Sequence, residues 1–311
     1  MDKPLAQLHT ADDLASLRSA ESQSLSRPRQ WRRRLRAYPQ LTIGLIVLSV
    51  LVFGSVFAPV IAPYDPAAID ASSLLAEPSR EHLFGTDTLG RDVLSRILYG
   101  GRLSLFVALI SVAAGMMIGV TLGLISGYRT GWTDSVIMRA MDGFMSFPNL
   151  VLALTIAFAL GASLQSVIIA LAVVRIPATA RLTRGQTLIL NQEEFVVAAH
   201  AVGVGPLRML ARHYLPNLAS VLLVQASLGA GATIFAEASL GFLGVGVPPP
   251  TPSWGGMLRD GYIFLELNPW QSIVPGAFIF LAILSFNFIG DGLRDALDPR
   301  QRRLRGVGKA R

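Results

Sequence analysis

The sequence predicts an all-α, polytopic membrane protein with six transmembrane helices. Three observations predict it. The 311-residue chain is 52% hydrophobic and only 15% charged, with a mean hydropathy of +0.51, whereas soluble domains carry about 25% charged residues. Six apolar runs are each long enough, at a rise of about 1.5 Å per residue, to cross roughly 30 Å of hydrocarbon. The 27 Lys and Arg residues fall unevenly between alternate connecting segments, as topology signals do.

Residues 1–40 are polar, and Arg27, Arg29, Arg32, Arg33, Arg34 and Arg36 crowd towards the first apolar run. Such clusters sit beside anionic headgroups, so membrane lipid is an expected partner. The first span is predicted at 41–62. Its length and the long extension before it favour an uncleaved anchor over a signal peptide. A hydrophilic segment follows to residue 101, broken by Pro63, Pro66 and Pro78. Its end reads as a short amphipathic helix, with Leu94, Ile97 and Leu98 on one face and Asp92–Arg96 as an i,i+4 pair.

The second span, 103–128, repeats glycine every four residues at Gly115, Gly119, Gly123 and Gly127. That ladder lets another helix approach closely; a contact within the chain is the expected use and a dimer seam the alternative. The third span, 134–160, holds Arg139 and Asp142 as an expected local ion pair, and Pro148 as an expected kink. The fourth, 164–190, carries Arg175, Pro177, Arg181 and Arg184 in its second half, so that half should line protein or leave the hydrocarbon early. The fifth, 218–247, contains Gln225 and Glu237. An acid at membrane depth costs on the order of 2–3 kcal/mol even on lenient scales, so Gln225 and Glu237 are candidates for a translocation path, with a structural hydrogen bond as the alternative for Glu237. Residues 248–269 include PPPTPSW and read as a rigid, turn-rich loop. The sixth span is 270–289, followed by a charged tail. Trp132, Trp254 and Trp270 are placed as interfacial anchors. The resulting units are a basic N-terminal segment (1–40), a first helix with its outer segment (41–101), the main transmembrane domain (102–291) and a tail (292–311).

Six spans put both termini on one side. Five basic residues, Arg80, Arg91, Arg96, Arg102 and Arg259, fall on one side, and the other 22 of the 27 fall on the side of the termini. The bias predicts cytoplasmic N- and C-termini. The formal charge of +7 is then a topology signal, and nucleic acid is not an expected partner.

One cytoplasmic stretch does not read as membrane: NQEEFVVAAHAVGVGPLRMLARHYLP, residues 191–216. Asn191 and Glu194 have the spacing of a capping box, and Gly203 can close the helix before Gly205-Pro206. At 1.5 Å per residue this helix is too short to span a bilayer. Phe195, Ala198, Ala199 and Val202 form an i, i+3, i+4, i+7 stripe, and Val196 and Val197 make the other side apolar. A helix apolar nearly all round must bury itself in protein, either in its own bundle or as a peg in another chain.

Catalytic chemistry is not indicated. There is no G-x-x-x-x-G-K-[ST] loop, no H-E-x-x-H and no G-x-S-x-G. Cysteine is absent, which excludes disulfides, thiol nucleophiles and Cys-based metal sites. The four His residues lack metal-ligand spacing, so no cofactor or metal is expected in this chain. An intramembrane enzyme would need acids paired at one depth, and Asp142 and Glu237 lie at different depths. A self-sufficient secondary transporter would call for coupling-ion groups near the midplane and internal repeats, neither of which is evident.

Within 191–216, Ala198, Ala199, Gly203, Leu215 and Pro216 stand in register with the E-A-A, three residues, Gly, nine residues, Ile, one residue, Leu-Pro motif. In this respect the chain resembles binding-protein-dependent ABC importer permeases. Val197 stands where that family has Glu, and His213 where it has Ile. The segments HLFGTDTLGRDVLSRILYGGRLSL, EASLGFLGVGVPPPTPSWGGML and FNFIGDGLRDALDPR resemble the second permease subunit of dipeptide/oligopeptide/nickel transporters over roughly residues 40–300. The resemblance implies a type I ABC importer permease fold with a short cytoplasmic coupling helix, in a bacterial inner membrane. It implies a heterodimer with a homologous permease, two separate P-loop ATPase subunits that bind ATP and Mg, and an extracytoplasmic peptide-binding protein. Glu194, Phe195, Val197, Ala198, Ala199, Gly203, Leu215 and Pro216 would form the ATPase-coupling surface. Dipeptides or short oligopeptides are the implied substrates, with glutathione, D-alanyl-D-alanine or nickel as alternatives on the same architecture.

Overall fold

The computed structural model describes residues 38–297; the arginine cluster before them and the tail beyond lie outside the described residues. Eleven helices run through that region: α1 (Pro39–Val56), α2 (Ala58–Ile61), α3 (Val93–Arg129), α4 (Gly131–Met145), α5 (Asn149–Leu160), α6 (Leu164–Leu190), α7 (Glu194–Ala201), α8 (Pro206–Met209), α9 (Leu215–Phe242), α10 (Trp254–Tyr262) and α11 (Trp270–Leu297). A π turn at Leu210–Tyr214 joins α8 to α9. Five of the helical runs are long and apolar enough to cross a membrane, and α4 with α5 forms a further pair bent by 89°.

Packing settles whether that bent pair crosses. The four glycines of α3 are bare because α6 lies on them. A Cβ at Gly115 would meet the Ala172 carbonyl at 2.7 Å, one at Gly119 the Thr179 side chain at 2.7 Å, and one at Gly127 the Thr187 side chain at 2.7 Å. Gly123 faces Ala180 and Thr183 in the same way. Residue numbers rise together along both helices, so α3 and α6 are parallel. The chain between them must therefore return across the bundle, and α4–α5 is the returning span. The ladder is thus an intrachain contact. The break falls at Ser146–Pro148, because Pro148 lacks an N–H and disfavours helical geometry at Phe147.

The arginine-bearing half of α6 lines protein, one of the two expectations for it. Arg184 holds Asp134 of α4 through Nε and Nη2, and Arg181 pairs with Asp142. The expected Arg139–Asp142 pair is not formed; α6 presents a guanidinium where α4 presents the acid, and that tertiary pair displaces the local one. The other end of the bundle is closed by the segment before α3 and by α10. Asp92 caps α3 by accepting from the Ser95 amide at 2.7 Å, and its other oxygen lies 3.0 Å from His82 Nδ1. The expected Asp92–Arg96 pair is absent for that reason. Arg96 turns to Asp87 at 3.4 Å and donates to the Pro66 carbonyl at 3.1 Å. The short amphipathic helix expected here is the first turns of α3 itself.

Several expected boundaries move. The fifth run begins at Pro206 rather than 218, and α11 continues to Leu297 rather than stopping at 289. The turn-rich loop contains α10, capped by Ser253 on the Gly256 amide. Trp254 is not an interfacial anchor. It is 1% exposed, packs with Ile97, Ile234 and Ala238, and donates its indole N–H to the Ile97 carbonyl at 3.0 Å. Its neighbours Gly100 and Gly101 leave room for the ring.

Candidate functional site

The α7 stretch is held against the bundle by one edge. Val196 and Ala199 are buried with Leu124 of α3 and with Met209, Tyr214 and Leu218 at the start of the fifth run. The remaining apolar residues point away: Phe195 is 43% exposed, Val197 56% and Val202 80%, with Ala198 exposed between them. The expected stripe therefore does not face the chain's own core; only Ala199 of it does. At eight residues, or about 12 Å, α7 is shorter than the helix of about 11 residues expected between a cap at Asn191 and a closing Gly203.

The capping box is also not formed. Glu193 occupies the N-cap without a side-chain bond, and Asn191 is used elsewhere. Its amide donates to the Gly127 carbonyl at 3.0 Å, one of the four carbonyls that the end of α3 leaves unpaired. Its oxygen accepts from the Tyr214 hydroxyl. The Tyr128 ring stacks on His200 at 5.7 Å and meets Tyr214 edge-on at 6.0 Å. One asparagine and two tyrosines thus tie α3, α7 and the π turn together. These ties fix α7 relative to two long helices.

Gly203 closes α7. Its φ is +77°, a region that residues with a Cβ rarely adopt. The Val204 amide donates to the Ala199 carbonyl at 3.1 Å and the Gly203 amide to the His200 carbonyl at 3.0 Å, the bond pattern of a Schellman motif. Nothing lies within 4 Å of where a Cβ would sit, so backbone conformation, not crowding within this chain, calls for glycine. Leu207 is exposed beside it.

Leu215 and Pro216 open α9, both exposed. Pro216 cannot donate to the carbonyl four residues back and its ring would crowd that carbonyl. The π turn immediately before it widens the helix where that bond is missing. Sequence periodicity carries no marker of a π turn apart from the proline that follows it.

The two path candidates part company. Gln225 is partly exposed on α9. Glu237 is 3% exposed, is hydrogen-bonded to Ser104 of α3, and keeps Oε2 without a partner. It is buried next to Ala238 of the Trp254 cluster rather than on an open face. A residue that the periodicity did not single out is Arg175. It reaches from α6 across to α9, where Nη1 donates to the Gly229 carbonyl at 3.0 Å. A cavity of about 440 Å³ lies at the α10 end, lined in part by Arg91, Arg96, Arg259 and Asp260. Among the described residues no group of three or more His, Asp or Glu side chains could hold a metal ion.

Residues 119–303 match the family described as binding-protein-dependent transport system inner membrane component. Residues 26–78 match the N-terminal transmembrane domain of oligopeptide transport permease C. The chain is 43% identical over 275 residues to the dipeptide transport system permease protein DppC of Alkalihalophilus pseudofirmus, covering 88% of this chain and 90% of that protein. It is also 43% identical over 271 residues to the glutathione transport system permease protein GsiD of Pectobacterium atrosepticum, covering 87% and 90%. The GsiD protein of Escherichia coli O6:K15:H31 is similar to the same degree, covering 87% and 89%.

Proposed function

The chain belongs to the family of binding-protein-dependent transport system inner membrane components, and we propose that it is one of two homologous permeases that enclose an import pathway for dipeptides or short oligopeptides. It is a membrane-embedded permease subunit of an ABC importer and not itself an enzyme. In the proposed assembly, two P-loop ATPases bind ATP and Mg, and an extracytoplasmic binding protein delivers the peptide. The termini and α7 face the cytoplasm of a bacterial cell, and the α10 end with its arginine-lined cavity faces the binding protein.

The observation that carries the reading is the exposed apolar side of α7 on a rigid mount. Phe195, Val197, Ala198 and Val202 are open in this chain, and a contiguous apolar patch ringed by polar residues marks a protein contact. Glu194 and Glu193 supply acid beside it, since Val197 replaces the family's usual one. Because Asn191, in the turn that leads into α7, is bonded to α3 and the π turn, and α7 itself is held by the Tyr128–His200 stack and the buried Val196 and Ala199, a displacement of the ATPase groove moves two spans with it. Gly203, Leu215 and Pro216 act here by shaping the turn and the entry into α9. Gln225 belongs to the pathway, while Glu237 serves it only if α3 and α9 separate.

Glutathione is the second reading, favoured by the equal identity to the glutathione permeases. The test is reconstitution of the chain with its homologous permease, both ATPases and the binding protein. ATP hydrolysis stimulated by loaded binding protein, with uptake of dialanine or glutathione, is expected. ATP hydrolysis indifferent to binding protein, or uptake by the lone chain driven by a proton gradient, would overturn the assignment.

A further inference from the structure

α6 carries three arginines, and two of them are matched by acids of α4: Arg181 by Asp142 and Arg184 by Asp134. Arg175 is not. Among the described residues no carboxylate lies within ion-pair distance of it, its Nε has no hydrogen-bond partner, and one main-chain carbonyl is its recorded acceptor. It is 11 residues from the start of α6 and 15 from its end, about 17 Å and 22 Å at 1.5 Å per residue. It packs beside Gly115, 13 residues after Arg102 and 14 before Arg129, the charged residues that bound the apolar run of α3, so it lies near the middle of that run.

The surroundings are built to keep the guanidinium there. Gly229 has no side chain where it lies: a Cβ at that position would stand 2.8 Å from Nη1 and overlap Cζ and Nη2. Gly115 of α3 lets the stem pass, with a Cβ there only 2.9 Å from the Arg175 Cβ. Gln225 is one turn before Gly229 on the same face of α9, also partly exposed. The Glu237 carboxyl is eight residues beyond Gly229, about 12 Å along the helix, and turned to Ser104. A guanidinium has five N–H donors, and a single carbonyl leaves most of them unused. An unpaired cation at this depth faces a water-filled cavity or an anion rather than lipid.

We propose that Arg175, with Gln225 beside it, forms a carboxylate-binding station midway along the permeation path, where the terminal carboxylate of a passing peptide is held through paired N–H···O contacts. This rests on the import reading above. A station of this kind favours substrates with a free carboxylate and lets them go when the path opens to the other side.

The test uses the complete complex of two permeases and two ATPases. The chain has no cysteine, so Arg175→Cys places a single thiol in it. The membrane-impermeant anion 2-sulfonatoethyl methanethiosulfonate should modify that thiol as it does a control Ala162→Cys, at a position exposed in the turn between α5 and α6, and excess dialanine should slow the modification of the first several-fold. In proteoliposomes with binding protein, Arg175→Gln should lower dialanine uptake about tenfold, Arg175→Lys should restore part of it, and wild type alone should discriminate dialanine from its C-terminal amide. A thiol that stays unmodified while the control reacts, or Arg175→Gln uptake equal to wild type, overturns the assignment of Arg175 and leaves the import reading standing. Loss of the second permease from the Arg175→Gln complex overturns it too, because the cation then pairs with that subunit. A wild-type complex that imports neither dialanine nor glutathione overturns the peptide reading and the station with it.

Discussion

Gly203 and Asn191 do different work within a dozen residues. At φ +77°, Gly203→Leu places a Cβ in a left-handed conformation that costs roughly 1–2 kcal/mol. The expected outcome is normal membrane insertion with loss of ATPase co-purification, read by affinity capture of the complex. Asn191→Ala removes the bond to Gly127 and leaves the Tyr214 hydroxyl without its partner, a cost of about 1–3 kcal/mol. It should retain ATPase binding but weaken the stimulation of ATP hydrolysis by loaded binding protein. In the segment before α3, the hydroxyls of Ser72 and Ser73 hold the Asp70 carboxyl down to about 2 from its ordinary 3.8. Since the folded value is the lower one, the stabilisation is full above 3.8 and is lost as pH falls towards 2. The protection of the Ser72 and Ser73 amides against hydrogen exchange, taken relative to an unstructured chain at the same pH, should therefore fall over that interval.

At the scale of elements, the α3–α6 contact is the least tolerant of change. Gly119→Leu drives a branched side chain into Ile176 and Thr179 and should lower stability by at least about 1–3 kcal/mol, seen as a reduced thermal midpoint in detergent. Gly143→Ala in α4 is the control, because nothing lies within 4 Å of its Cβ position; it should be neutral or slightly stabilising. The glycine period was legible in the sequence, since a four-residue repeat lies along one helix face. The identity of the partner helix was not, because any helix with small residues could fill the groove. The same limit explains α7: periodicity marked it as apolar and short, but Val196 turned inward while Phe195 turned outward because Tyr214 and Leu218 happen to cover one edge.

At the scale of the molecule, the broken span α4–α5 is fastened to α6 by two ion pairs, Asp134–Arg184 and Asp142–Arg181. Asp134→Arg should reduce the yield of folded protein by setting like charges together, and the double variant Asp134→Arg/Arg184→Asp should recover it. Fluorescence-detected size exclusion reads both. The parallel run of α3 and α6 makes this return span obligatory, which is why a span bent by 89° still counts in the topology.

The sequence by itself determined the membrane class, six crossings, a short apolar helix outside them with its closing glycine, and the family. These rest on composition, on runs of 18 or more apolar residues, and on residues whose meaning is local, such as a glycine that alone tolerates positive φ. Only the tertiary structure decided which partner each polar group takes. Asp142 chose Arg181 over Arg139, Asp92 chose Ser95 and His82 over Arg96, and Asn191 chose Gly127 and Tyr214 over a helix cap. In hydrocarbon every charge and amide must find a partner, and the partner comes from whichever helix the packing brings alongside. That is also why Arg175, which finds only a carbonyl, is set apart from Arg181 and Arg184 by the folded chain and not by the sequence.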